Sequence, residues 1–233
     1  MRYAIIACGA AIGVLFVLSC ERPVSRTPHD FETFRKIDMH LHAFEDVPYY
    51  YDVMDEVGVE RALNVCDQAM ESNNFHRRWQ GALSVVTGNP QRFIVASSFP
   101  LWNIREPDYA EQAIQWLDST FDAGAGAVKV WKDIGLEVKN ADGEYIQVDD
   151  PLFDPIFQHL VRRGIPVLGH QADPIRNWDP PDPDNPRRPS YTQKGMPSYE
   201  DILMARDRRV ARHPDMIFIA YHLASLSHDV DLV

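Results

Sequence analysis

After residue 35 the chain alternates between short apolar runs rich in β-branched residues and longer stretches whose apolar positions recur every three or four residues. Short continuous runs suit strands buried on both faces, and the periodic stretches suit helices that pack one face on a sheet. Six runs predict strands: Ile37 to Leu41, Ala62 to Cys66, Phe93 to Ser97, Ala127 to Trp131, Ile165 to Gly169 and Met216 to Tyr221. Tyr109, Ala113, Trp116, Leu117 and Phe121 share one helical face, and Leu152, Ile156, Phe157, Leu160 and Val161 share another. Gly124 and Gly126 follow the first helix and Gly164 the second, where a left-handed cap is expected. This alternation predicts an α/β fold built on a parallel sheet or barrel.

Two stretches break the pattern. Between the fifth strand and the next helix, Asp173 to Met196 is far longer than a usual βα connection and carries Trp178-Asp-Pro-Pro-Asp-Pro-Asp-Asn-Pro186. So many prolines predict a stiff, solvated excursion, which on a barrel would rise from the catalytic face, either covering the mouth or idle. At the other end, Arg2 precedes an apolar run from Tyr3 to Leu18 that closes in Ser19-Cys20. This reads as a secretory signal over 1–20, with a polar tether over 21–35 and one domain over 36–233. Val17-Leu18-Ser19-Cys20 resembles a bacterial lipobox, which implies lipidation of Cys20 and an exported, membrane-anchored lipoprotein, periplasmic or on the cell surface. The alternative is a short transmembrane anchor.

The 233 residues, 45% hydrophobic and 24% charged, suffice for one domain with a sizeable core, and a formal charge of -11 argues against nucleic acid as a partner. With Cys8 and Cys20 in the signal, Cys66 is left as a lone thiol in an apolar run, read as a small packing residue. No disulfide framework is expected.

Candidate chemistry gathers at strand ends. His40 and His42 stand two apart on the first predicted strand, so their imidazoles project the same way as a chelate for a divalent ion. His170 ends the fifth strand and His222 the sixth. In a parallel barrel these ends meet on one rim. Lys129 lies inside an apolar strand, where a charge is costly unless paired, neutralised or modified, or else snorkels outward. Lys132, of opposite parity, is expected to be exposed, and Asp38 is read as a structural hydrogen-bonding group on the face opposite the chelating pair. His29, His76, His159 and His213 fall in tether or helical segments and are read as solvated or packing residues. Asp149-Asp150 before Pro151 reads as a helix cap.

In their order, Ile-Asp-Met-His40-Leu-His42, Val-Lys129-Val, Gly-His170 and Tyr-His222 resemble the motifs of the amidohydrolase superfamily, in its amidohydrolase-related branch. The resemblance covers Lys36 onward and implies a (β/α)8 barrel holding one or two divalent ions, usually zinc, through His40, His42 and His170. In two-metal members a carboxylated lysine, here Lys129, bridges the ions and His222 binds the second. In one-metal members His222 orients or polarises the substrate. The implied chemistry is a metal-activated water acting on a small ester, lactone or amide. The same site in a decarboxylase would need cations such as Arg176, Arg187 or Arg188 to hold an acid. The family also expects a seventh and an eighth βα unit and a metal-binding aspartate on the eighth strand. About six units are readable here, so the sequence reads as an incomplete barrel, and a non-catalytic lipoprotein is the third reading. Oligomeric state stays open, homo-oligomer included.

Overall fold

The computed structural model describes residues 33–66, 70–192, 195–229 and 231. The signal, Cys20 and nearly all of the expected tether lie outside them. Lys36 to Val233 forms one unit.

Six strands, β1 (Lys36–Leu41), β2 (Val59–Val65), β3 (Phe93–Ser97), β4 (Ala125–Val130), β5 (Val167–Gly169) and β6 (Phe218–Ala220), make one sheet in chain order. Every neighbouring pair is parallel. Helices α1 (Pro48–Glu56), α2 (Ser72–Gly88), α3 (Tyr109–Asp122), α4 (Asp154–Arg163) and α5 (Tyr199–Arg212) fill the connections. The sheet is strongly curled: the Tyr221 hydroxyl, just past β6, donates to the Met39 carbonyl on β1. Five interstrand steps laid flat would put those strands about 24 Å apart. The product is a half-barrel, with β1 and β6 as its edges among the described residues.

Period-two alternation decides which side chains go where. Outward Val128, Val130 and Val167 pack with Leu117, Ile156, Phe157 and Leu160 of α3 and α4, the helical faces read from the sequence. Inward Leu63, Val65, Ala96, Ala127, Leu168 and Tyr221 cluster inside the curl. Gly164 caps α4 at φ 63 and Gly124 follows α3 at φ +105, whereas Gly126 falls within β4, against Ile94. The last two strands are shorter than predicted. Pro166 cannot donate to the ladder, although its carbonyl still accepts from Val128 N at 2.9 Å, so β5 begins at Val167. Past Ala220 the backbone turns left-handed and leaves the sheet.

The long connection is less solvated than its prolines suggest. A 3-10 turn spans Ile175–Trp178, the Trp178 indole donates to Pro197 O at 3.0 Å, and its ring meets Tyr191 and Tyr199 edge to face at 5.0 and 5.3 Å. Residues 179–190 remain mostly exposed.

Gly81, in the middle of α2, lets that helix approach the chain leaving β1. A Cβ there would lie 2.6 Å from Phe44 O and 3.2 Å from Phe44 Cβ. Gly81→Ala gains about 1 kcal/mol of helix propensity. Overpacking against a backbone carbonyl costs about 1–3 kcal/mol and outweighs it. Urea unfolding of Gly81→Ala should therefore show lower stability; a more stable variant would refute this packing.

Candidate metal centre at the strand ends

The curl brings together residues that the chain separates by as many as 182 positions. His40 lies 5.0 Å from His42, 6.3 Å from His170 and 5.2 Å from His222 between ring centroids, and His170 lies 4.4 Å from His222. Lys129 is buried beneath them, with Nζ 3.4 Å from His40 Nε2 and 3.6 Å from the Tyr221 ring centroid. His42 and His222 open to solvent on the rim, while His40 and His170 are half-buried. The five residues singled out from the sequence, His40, His42, Lys129, His170 and His222, thus occupy one place.

Their surroundings set their chemistry. The His42 ring Nδ1 lies 3.0 Å from Val65 O and donates to it, which fixes the ring's tautomer and orientation. Burial, then the Lys129 amine, pushes the His170 imidazole down to about 2, and the same causes lower His222. Both are therefore neutral at physiological pH, the form that ligates metal. His170 Nδ1 is buried and has no hydrogen-bond partner among the described residues. An orphaned neutral imidazole beside three others fits a divalent ion in kind. Among the described residues, however, no three His, Cys, Asp or Glu side chains stand as a closed ligand set.

Several neighbours correct or extend the sequence reading. Asp38 shares the inward face of His40, two residues on, and its carboxylate accepts from the His40 amide at 2.8 Å, so it is structural but not on the opposite face. Lys132 is not an ordinary exposed lysine: its Nζ is 2.6 Å from buried Asp173 Oδ1. Asp173 also accepts from the Tyr191 hydroxyl, which ties the long connection to the ends of β4 and β5. Trp131, 5.4 Å from His42 and 6.0 Å from His170, walls the other side. Its place at the end of β4, two residues past Lys129, was the available signal. A cavity of about 240 Å³ opens beside His170, Asp173 and His222. Arg176 lines an adjoining one that shares Pro174, Ser225 and Ser227 with it. Arg188 is turned back on its own loop, donating to Arg176 O and Pro180 O, and exposed Arg187 lines neither cavity.

His222 stands on unusual backbone. It and Leu223, Ala224 and Ser225 have φ of 56, 53, 56 and 64, four successive non-glycine residues in the left-handed region. Each such residue costs about 1–2 kcal/mol relative to right-handed backbone. The other histidines serve locally: the buried His213 ring contacts Arg209 O, and His159 pairs with Asp118. Asp150 caps the turn at Pro151, and Cys66 is fully buried.

No protein-family model and no curated protein matches the chain. Solved structures do. A dihydroxybenzoic acid decarboxylase from Polaromonas sp. JS666, with bound manganese and the inhibitor 2-nitroresorcinol, aligns at TM-score 0.53 and 16% identity over 77% of this chain and 55% of that one. A 5-carboxyvanillate decarboxylase from Novosphingobium aromaticivorans, with manganese and 3-methoxy-4-hydroxy-5-nitrobenzoic acid, aligns at 0.52 and 15% over 78% and 51%. A 2,6-dihydroxybenzoate decarboxylase complexed with 2,6-dihydroxybenzoate aligns at 0.51 and 16% over 78% and 57%. These likenesses show the fold, a parallel (β/α) barrel. In that fold the chain is an incomplete barrel, and it spans between 51% and 57% of the length of these three proteins.

Within this half-barrel, Asn64 on β2 fixes the chain just past His42. Its amide bridges both backbone groups of Ala43, at 2.8 and 2.7 Å, and donates to Ala82 O at 3.2 Å, all buried. Asn64→Ala leaves these groups without partners and should cost about 3 kcal/mol in urea unfolding, at about 1–3 kcal/mol for each buried orphan. A loss below about 1 kcal/mol would show that the bridge is dispensable.

Proposed function

We propose that this protein is a metal-dependent enzyme acting on a small carbonyl or carboxylate compound. The observation that carries this reading is the gathering of His40, His42, His170 and His222 over buried Lys129 at the C-terminal ends of parallel strands, where this fold class places its chemistry. His40, His42 and His170 would hold the ion, zinc or a related divalent metal, with manganese suggested by the similar decarboxylases. Such an ion lowers the pKa of bound water and polarises a carbonyl. The chain's own residues do the rest. Lys129 supplies a buried amine under His40, His222 faces the cavity where it can orient a substrate oxygen, and Trp131 excludes water from one side.

Two reactions suit this site: hydrolysis of an ester, lactone or amide, and decarboxylation of an acid. The second is favoured by Arg176, exposed and lining the cavity that adjoins the histidines. It also draws on the likeness to three decarboxylases of hydroxylated benzoates. An aromatic acid would find a cation at the mouth and the His170 and His222 imidazoles within.

Elemental mass spectrometry of purified protein should find about one or two equivalents of divalent metal per chain, lost in a His40→Ala, His42→Ala double variant. A folded parent without metal would transfer the lead to the non-catalytic reading. Product analysis on ester, lactone, amide and hydroxybenzoate panels separates hydrolysis from release of carbon dioxide, and His170→Ala should abolish either. For an acid substrate, Arg176→Ala should raise KM about tenfold or more with kcat less affected, as loss of a charged contact implies.

We further propose that the protein is exported and anchored through a lipid on Cys20, on the support of the lipobox-like Leu-Ser-Cys and the apolar run before it. Cys20→Ala should move it from the membrane to the soluble fraction and remove the lipid mass. An unchanged distribution would favour the transmembrane-anchor reading.

A further inference from the structure

We propose that Tyr199 and Arg206, both on α5, are positioning residues for His222: they clamp the left-handed turn at 222–225 whose strained backbone aims the imidazole at His170. This rests on the functional reading only for what His222 does once it is aimed.

The turn has little reason to hold its shape alone. Its internal hydrogen bonds are few: Ser225 N reaches Tyr221 O at 3.2 Å and His222 O at 3.0 Å, and Leu226 N reaches Leu223 O at 2.9 Å. Four non-glycine residues in left-handed conformation require surroundings that over-determine them. Those surroundings are three side-chain contacts on consecutive parts of the turn. The Tyr199 hydroxyl donates to Ser225 O, the Arg206 guanidinium donates to Ala224 O, and the Ser225 hydroxyl donates to Gln171 O, one residue past His170. The third contact ties the backbones bearing His170 and His222 together, and the first two press the turn from α5.

Arg206 carries the inference furthest. It is 8% exposed, and its one carboxylate partner among the described residues, Asp207, has a side chain 66% exposed and so screened by water. Burying a guanidinium for that pair alone is unfavourable, and the carbonyl of Ala224 is the buried acceptor it finds. Tyr199, 4% exposed, is locked in turn by Trp178 at 5.3 Å, so the clamp is braced by the long connection. α5 itself is fixed at its start by a capping box between Ser198 and Asp201. The signal for this role is absent from the sequence because nothing local links residues 199 and 206 to residue 222.

The test uses metal-free protein with labelled histidine rings, so that its outcome does not depend on whether the protein binds metal or turns over. The His222 ring cross-peak is assigned by its loss in His222→Gln. In Arg206→Met and in Tyr199→Phe it should move, and the amides of residues 223–226 should exchange at least tenfold faster, while His76 and His159 stay in place. Arg206→Lys, which keeps a donor, should restore part of the shift. Should Arg206→Met fail to fold, Ala224→Gly decides. Relieving strain should raise the unfolding midpoint by about 2–4 °C, and Arg206→Met in that background should fold. An unmoved His222 signal in folded Arg206→Met, or a lowered midpoint in Ala224→Gly, overturns the proposal.

Discussion

A lysine amine sealed inside a curled parallel sheet decides what must surround it. Lys129 has no exposure, and an unpaired charge there would cost more than the domain's whole margin of stability. The sheet answers with the Tyr221 ring face below 4 Å, the Trp131 ring at 5.0 Å and the His40 imidazole. Burial first, and then the same amine, disfavour protonation of His170 and His222. The curl itself depends on this arrangement, because Tyr221 both covers Lys129 and bridges β6 to β1.

Around that centre the rim is held from behind. Asn64 fixes the chain after His42, Asp173 gathers Lys132 and Tyr191, and α5 holds the turn after β6. In each case a buried polar group spans two or three elements, so the placement of an imidazole depends on contacts that do not touch it. Such a rim allows the chemistry to change by replacing side chains at strand ends while the outward Val, Ile and Leu packing against α3 and α4 stays as it is.

Much of the site was legible before the fold was known, for a definite reason. On a parallel strand the C-terminal end is marked by where an apolar run stops, so His170 and His222 announced themselves by position. The spacing of His40 and His42 announced a shared face. Asp38 carries the same parity and belongs with them on the inward face, where its carboxylate holds the His40 amide. Lys132 was misjudged because parity gives the side of a strand and says nothing of Asp173, 41 residues away, waiting there. Helical faces were legible for the same local reason, whereas the lengths of β5 and β6 turned on Pro166 and on a backbone reversal that no residue type near Ala220 signals.

The sequence by itself determined the order of strands and helices, the inward and outward faces, and the set of histidines assigned to one end of the sheet. These follow from periodicity and from where apolar runs break, which are properties of neighbours along the chain. Only the tertiary structure decided which nitrogen of His42 donates to Val65, how Lys129 is accommodated, that the long connection is pinned through Trp178, Tyr191 and Asp173, and that His222 rides on left-handed backbone. These contacts require groups from 18 to 182 residues apart to meet at hydrogen-bond distance. That condition is met by the curl of the whole sheet, and no local pattern encodes it.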